Sequence, residues 1–309
     1  MVAALIIATG KTMHKSGFHP LQAVGSIPAL QRIILTFQQA GIQRIAVVCH
    51  GDKDPAEKAG SGMGAVFLHG RKEADMFENV KLGLRYLQGK CGAAFVSHAD
   101  VPLFSGKTLD ALLKADGEVR VPAYQGRPGH PALLRAEHFP AILAYEGEGG
   151  LAGAIRAAGL MRRLVEVEDG GILANLQGGD LPGSLISQHT LMQLHPNIRI
   201  RLAKEKPFYG PGAHQLLQLT EETGSLSEAC QRMGISYTKG RRMIATMEEQ
   251  LGYPVVESKQ GGPAGGGSAV TPEGKALMDS YKAYCGEATA CLQRLFEKYF
   301  PDGLQGGPQ

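Results

Sequence analysis

At 309 residues the chain is long for one domain and comfortable as two. Its 43% hydrophobic content supports buried cores, and 20% charged residues excludes a largely disordered chain. The net charge of +3 is spread almost evenly, so bulk basicity gives no sign of nucleic-acid binding and only local placement can. Five cysteines (Cys49, Cys91, Cys230, Cys285 and Cys291) form no Cys-x-x-Cys pair. That argues against a disulfide scaffold and a zinc site, and it fits a reducing cytoplasm. The apolar Met1–Ala8 stretch is too short to span a bilayer and lacks a basic leader, so a soluble cytoplasmic protein with no membrane partner is expected.

Val2–Ala8 (VAALIIA) is a continuous apolar run, the pattern of a strand buried on both faces of a parallel sheet. Pro28–Ala40 follows with Leu30, Ile33, Ile34 and Phe37 at helical spacing, and Gly41 closes that helix. Arg44–Cys49 reads as the next strand, Phe77–Leu87 as a helix, and Ala93–Ser97 and Val119–Ala123 as further strands. Alternation of this kind predicts right-handed βαβ units in an α/β domain with a mostly parallel sheet. Ligands of such sheets sit beyond the carboxyl ends of the strands. This rule points to Ala8–His19, His98–Leu103 and the loop near Asn175.

The first of these loops runs GKTMHKSGFH (Gly10–His19) and lacks Walker spacing. Its glycine lets backbone amides approach phosphate oxygens, and Lys11 and Lys15 add positive charge; an ordinary strand-to-helix loop with exposed lysines is the alternative. Asp100 at a strand end reads by itself as a cap for the following turn. Val2–Leu181 resembles the MobA-like molybdenum-cofactor nucleotidyltransferases, including the molybdopterin cytidylyltransferase type. The resemblance runs through Gly10 and Thr12, Gly25–Leu30 (GSIPAL), Met76–Leu84 (MFENVKLGL), Asp100–Leu103 (DVPL), Gly126–Pro131 (GRPGHP) and Gly171–Asp180 (GILANLQGGD).

That resemblance implies a Rossmann-like nucleotidyltransferase domain over 1–190. Gly10, Lys11, Thr12 and Lys15 would hold a nucleotide or molybdopterin-type ligand, and Asp100 with Asn175 would hold Mg²⁺. It also exposes departures: His14 stands where the family has arginine and His19 where it has the phosphate-binding lysine. With Asp100, these two are the catalytic candidates. Histidine is mostly neutral at pH 7, so the cationic cage around a developing phosphate charge is weakened. Retained binding with lost or reduced turnover is expected.

A boundary falls between Ser187 and Gly212. Ile198–Leu202 (IRIRL) alternates like an edge strand and Lys206–Gly212 (KPFYGPG) reads as a hinge, so 191–211 is expected to be a linker. Ser225-Leu-Ser-Glu228 is a capping box, Gly234 a left-handed stop, and Ser236 a cap for a second helix ending at Gly252. Helix, glycine turn, helix is the helix-turn-helix pattern. Met243, Ile244, Met247 and Leu251 form its apolar stripe. Ser236, Tyr237, Lys239, Arg241 and Arg242 occupy the first turns, where base readers belong. The cations there either hold phosphates or read guanine edges. Gly261–Gly267 reads as a wing, and Thr271-Pro272 starts a last helix.

Residues 210–284 are similar to the winged helix-turn-helix of ModE-like regulators, relatives of the LysR-type DNA-binding domain. This implies an α-rich DNA-binding module over 212–300 and a tail over 301–309. It also implies double-stranded DNA as partner and a homodimer through 271–300. The separate molybdate-binding domains of those regulators are not visible. The expected function is therefore a transcriptional regulator of molybdenum-cofactor or molybdate-related genes, sensing a nucleotide or cofactor intermediate. The alternative is an active transferase, using CTP or GTP and releasing pyrophosphate, that carries a DNA module.

Overall fold

The computed structural model describes residues 1–9, 19–51, 54–60, 62–71, 74–178, 181–194, 196, 198–262 and 265–300. The chain divides into two compact units, Met1–Gln193 and Leu194–Gln309. The first unit contains strands β1 (Val2–Ile7), β2 (Ala23–Val24), β3 (Ile27–Pro28), β4 (Arg44–His50), β5 (Ala65–Gly70) and β6 (Ala93–His98). It continues with β7 (Val119–Tyr124), β8 (Arg127–Pro128), β9 (Ala132–Arg135) and β10 (Arg162–Glu166). Its helices are α1 (Ala29–Gln39), α2 (Pro55–Gly60), α3 (Met76–Leu87), α4 (Gly106–Lys114), α5 (Phe139–Leu143), α6 (Gly150–Ala157) and α7 (Gly183–Met192).

The described strands of the main sheet run β10-β7-β9-β6-β1-β4-β5, with β8 on β7. β6, β1, β4 and β5 are mutually parallel, and β9 enters antiparallel between β6 and β7. The mostly parallel α/β class expected from the alternation is the class observed.

β1 is an unbroken apolar run because helices cover both its faces. On one side Ala4 and Ile6 pack with Ile33, Ile34 and Phe37 of α1, and Phe37 meets the rings of Phe95 at 5.7 Å and Phe104 at 5.3 Å. On the other, α3 lies so close to the sheet that a Cβ on Gly83 would stand 2.1 Å from Leu5 Cδ1. Only glycine admits that approach.

Two polar fasteners tie the end of this unit back onto its start. Arg32, 1% exposed, donates through Nη2 to Val24 O (2.6 Å) and through Nη1 to His189 Nδ1 (3.1 Å). Since Arg only donates, His189 must donate its other ring proton, and Nε2 meets Phe104 O at 3.0 Å. Asp169 accepts from Ser105 N (2.8 Å), Thr108 Oγ1 (2.5 Å) and Gly171 N (3.0 Å). It joins the start of α4 to the short 3-10 turn Gly170–Leu173.

In the second unit the alternating Ile198–Leu202 is mostly not a strand. Pairing is confined to β11 (Leu202–Ala203) against β12 (Pro207–Tyr209), because the partner segment is only three residues long. The 191–211 stretch expected as a linker therefore holds this hairpin and the end of α7. Then come α8 (Pro211–Thr223), α9 (Leu226–Arg232), α10 (Tyr237–Leu251), the hairpin β13 (Val256–Gly262) and β14 (Gly265–Val270), and α11 (Pro272–Tyr299). Among the described residues no helix is long and apolar enough to cross a membrane.

Ser225 Oγ accepts from Glu228 N at 3.3 Å, the forward half of the expected capping box. The reverse half is absent. Ser225 N donates instead to Thr223 Oγ1 (3.2 Å), and Glu228 turns outward to Arg232 (2.5 Å), an i,i+4 pair. Gly234 and Gly252 hold the left-handed stops at φ 64° and 83°.

Candidate functional site

Asp100 follows the carboxyl end of β6 and is 1% exposed. Its backbone carbonyl accepts from Leu176 N at 2.8 Å, which brings the 170–177 segment across the strand ends. Its Oδ2 accepts from Gln177 Nε2, while Oδ1 has no hydrogen-bond partner among the described residues. Burial pushes the carboxyl above the usual aspartate range, against the smaller stabilisation of the anion from Gln177 and His130. A buried carboxylate with one oxygen unspent is a charge in want of a cation.

His98, the last residue of β6, and His130 stack beside it with ring centroids 4.5 Å apart. Desolvation drives both imidazoles down to about 4, so both are neutral at pH 7. His130 Nδ1 and Thr9 Oγ1 are buried without a partner among the described residues. The 170–177 segment lies close here: a Cβ on Gly129 would meet Ile172 O at 2.5 Å, and His130 N donates to that same carbonyl at 3.1 Å.

Of the residues expected here, Gly10, Lys11, Thr12, His14 and Lys15 lie outside the described residues. His19 is exposed, and its Nδ1 accepts from Leu21 N at 3.1 Å, spending that nitrogen on its own turn. Asn175 is exposed and close enough to Asp100 to stabilise its anion, but its Oδ1 accepts from Gln177 N at 2.7 Å. Its carbonyl oxygen is thus engaged locally. The sequence placed His98 only at the edge of the His98–Leu103 loop and did not single out Asp169. The first was visible only as a polar residue ending an apolar strand, the second as an aspartate before Gly170-Gly171.

The second site is the exposed face of α10. Ser236 caps the helix by accepting from Lys239 N at 3.2 Å. Tyr237 (51% exposed), Lys239, Arg241 and Arg242 face outward, while Gly240, Ile244 and Met247 are buried. Met243 and Leu251, expected in the apolar stripe, are only half-buried. Gly240 is the tightest point: a Cβ there would lie 2.2 Å from Cys230 Sγ on α9. Glu248 Oε1 accepts from Val255 N (3.0 Å) and Val256 N (3.3 Å), and Ser268 N donates to Gly224 O at 2.8 Å. The hairpin is thereby held against the helical core. A small groove of about 120 Å³ lies between hairpin and helix, lined by Tyr237, Arg241, Glu248, Ser258 and Ser268.

A mixed, mostly parallel α/β unit with an acidic strand end, followed by a helix-turn-helix with a β-hairpin, defines the class. Residues 4–166, just over half of the chain, match the MobA-like NTP transferase domain, and the chain belongs to that family. Residues 213–275 match the bacterial regulatory helix-turn-helix protein of the lysR family. In the C-terminal region, 68 residues are 40% identical to the molybdenum-pterin-binding protein MopB of Rhodobacter capsulatus. That match covers 22% of this chain and 25% of MopB, so the chain spans about a quarter of that relative's length.

Among solved structures the chain is similar to Rv0371c of Mycobacterium tuberculosis H37Rv, with TM-score 0.48, 16% identity, and 54% of this chain and 87% of that one covered. It is also similar to a nucleotidyl transferase of Methanothermobacter thermautotroptrophicus, Mth528, with TM-score 0.47, 21% identity, and 57% and 92% covered.

Proposed function

We propose that the protein is a DNA-binding transcriptional regulator of molybdenum-cofactor or molybdate-related genes, whose transferase-like unit senses a nucleotide or cofactor intermediate. The observation that carries this reading is the exposed Tyr237, Lys239, Arg241 and Arg242 face on the first turns of a capped helix flanked by a hairpin. Partial likeness to a molybdenum-pterin-binding protein supports the molybdenum assignment.

Dimerisation through α11 fits the spacing of its residues. Tyr281, Cys285, Ala288, Leu292, Leu295 and Tyr299 recur at alternating four and three, the seam of a two-stranded coil. Tyr281 is buried within its own unit, whereas Leu292, Leu295 and Tyr299 are exposed. Paired copies would set two recognition helices on a palindromic site.

In the transferase-like unit Asp100 Oδ1, an orphaned buried oxygen with amides for neighbours, fits a hard cation such as Mg²⁺ that keeps most of its waters. Asp100 would hold it with Asn175 or Gln177 after an amide turns, and the cation would supply charge neutralisation at phosphate oxygens. The neutral His98 and His130 offer no permanent positive charge there, in keeping with binding over turnover.

The test is a mobility-shift assay on the DNA upstream of the coding region, with and without CTP or GTP and Mg²⁺. Binding that responds to nucleotide supports the proposal; ligand-independent binding removes the sensor, and no binding removes the regulator. The intact Asp100 keeps a second reading in play, an active transferase with a DNA module. Pyrophosphate release from CTP or GTP with molybdopterin supports it. No turnover in the wild type, with turnover restored by His14→Arg plus His19→Lys, rules it out.

A further inference from the structure

At the carboxyl ends of β4 and β5, three side chains from three elements converge. Cys49 and His69 are register partners across these parallel strands, and Glu57 reaches in from α2. The Cys49 Sγ, a Glu57 carboxylate oxygen and a His69 ring nitrogen all lie within 4.8 Å of one another. His69 Nε2 is 2.7 Å from Glu57 Oε1, and the two side chains are 19% and 12% exposed. Cys49 is fully buried, its Sγ 3.8 Å from Leu68 O.

We propose that Cys49, Glu57 and His69 form a binding site for a thiophilic divalent metal of the zinc class, separate from the oxygen site at Asp100. One sulfur, one imidazole nitrogen and one carboxylate oxygen make a borderline-soft set, suited to Zn²⁺ and poor for Mg²⁺. Around tetrahedral zinc, ligand atoms stand roughly 3.3–3.7 Å apart, given bonds of about 2.0–2.3 Å. The observed cluster needs side-chain adjustments of about an ångström or less to reach that geometry. Three protein ligands leave a fourth position for water or an exogenous ligand, the open form of a zinc site.

The ligands lie between positions 49 and 69 on three elements, so no short cysteine or histidine motif announces them. In the sheet, β1 separates this cluster from β6 and Asp100, and both sites lie along the same carboxyl edge. Ala8 N donates to Val48 O (2.8 Å), so the residue preceding Cys49 holds the chain leaving β1.

The experiment is titration of the reduced, metal-free full chain with Co²⁺ as a spectroscopic substitute for Zn²⁺. A near-ultraviolet thiolate-to-metal charge-transfer band saturating at one Co²⁺ per chain is expected, abolished by excess Zn²⁺ and untouched by excess Mg²⁺. Cys49→Ser and His69→Gln should each eliminate the band, and Glu57→Gln should weaken Co²⁺ affinity at least tenfold. Because Cys49→Ser places a hydroxyl in the core, His69→Gln at the partly exposed edge gives an independent reading, with folding followed by circular dichroism. A wild type without the band overturns the proposal. So does a band that persists in Cys49→Ser, or a His69→Gln or Glu57→Gln variant that binds as the wild type does.

Discussion

The rings of His98 and His130 face one another with centroids 4.5 Å apart and planes 31° from parallel, beside the Asp100 carboxylate. Both imidazoles are held neutral by burial, with values depressed to about 4. The unfolded chain takes up its histidine protons near pH 6.5, before the folded chain does. This contribution to stability is complete above about 6.5 and is lost as pH falls toward 4. Denaturant unfolding from pH 7 to pH 4 should show that decline, and His130→Gln should flatten it. An unchanged slope in His130→Gln would remove the pair as its source.

Asp100 shifts the other way. Burial raises its carboxyl, so the folded state favours the protonated acid and loses stability as pH rises through the raised value. At neutral pH in the presence of a chelator, Asp100→Asn should therefore melt higher than the wild type. A gain of about 1 kcal/mol corresponds to roughly 2–4 °C for a unit of this size. Mg²⁺ should raise the wild-type melting temperature and leave the variant unmoved. An equal Mg²⁺ response in both proteins would place the cation elsewhere.

Gly240 and Cys230 offer a steric test of the helix-turn-helix. Gly240→Ala drives a methyl group into the buried thiol and should destabilise the second unit by about 1–3 kcal/mol. Cys230→Ala makes room for it. The double variant should recover most of the loss, giving a coupling energy of about 1 kcal/mol or more in a double-mutant cycle. Additive effects would mean that the two helices adjust independently of this contact.

On the outward face of α10, substitutions separate anchoring from reading. Loss of a phosphate contact, at Lys239→Ala or Arg242→Ala, should weaken binding equally for all sequences and lower the salt dependence by about one counterion. Loss of a base-edge contact at either residue should instead cost about 1–3 kcal/mol on the preferred site and relax selectivity. Fluorescence anisotropy on matched and scrambled duplexes at several salt concentrations distinguishes them. Wild-type binding by a Lys239→Ala, Arg242→Ala double variant would take this face off the DNA.

Leu292→Asp with Leu295→Asp should turn a dimer into a monomer in sedimentation without melting the second unit, because both side chains are exposed. Binding to a palindromic duplex should fall more steeply than binding to a half-site. A chain already monomeric before substitution would remove the α11 seam from the account.

Much of the fold was legible because it is locally encoded. The apolar run of β1, the stripe of α1 and the caps at Ser225, Ser236 and Thr271 each need only neighbouring residues to be recognised. Asp100 was named from its motif, and it follows the carboxyl end of β6. What escaped depends on partners distant in sequence. Among the described residues Ile198–Arg201 alternates without a strand partner. The lost half of the Glu228 cap is the local exception, because Glu228 prefers the Arg232 cation one helical turn on over its own cap amide. Gly240 reads as an unremarkable helical residue until Cys230 is brought against it, and His98 gains a role only through His130, thirty-two residues away.

The three bonds at Asp169 have a practical consequence for dissecting the chain. The family match ends at residue 166, yet the segment that lies over Asp100 begins just after it and is fastened by Asp169, with His189 and Arg32 securing α7 further on. A fragment cut at the edge of the recognisable pattern would lose the segment whose Leu176 N and Gln177 Nε2 bond to Asp100. The smallest piece worth expressing for ligand binding reaches Gln193, where the first compact unit ends.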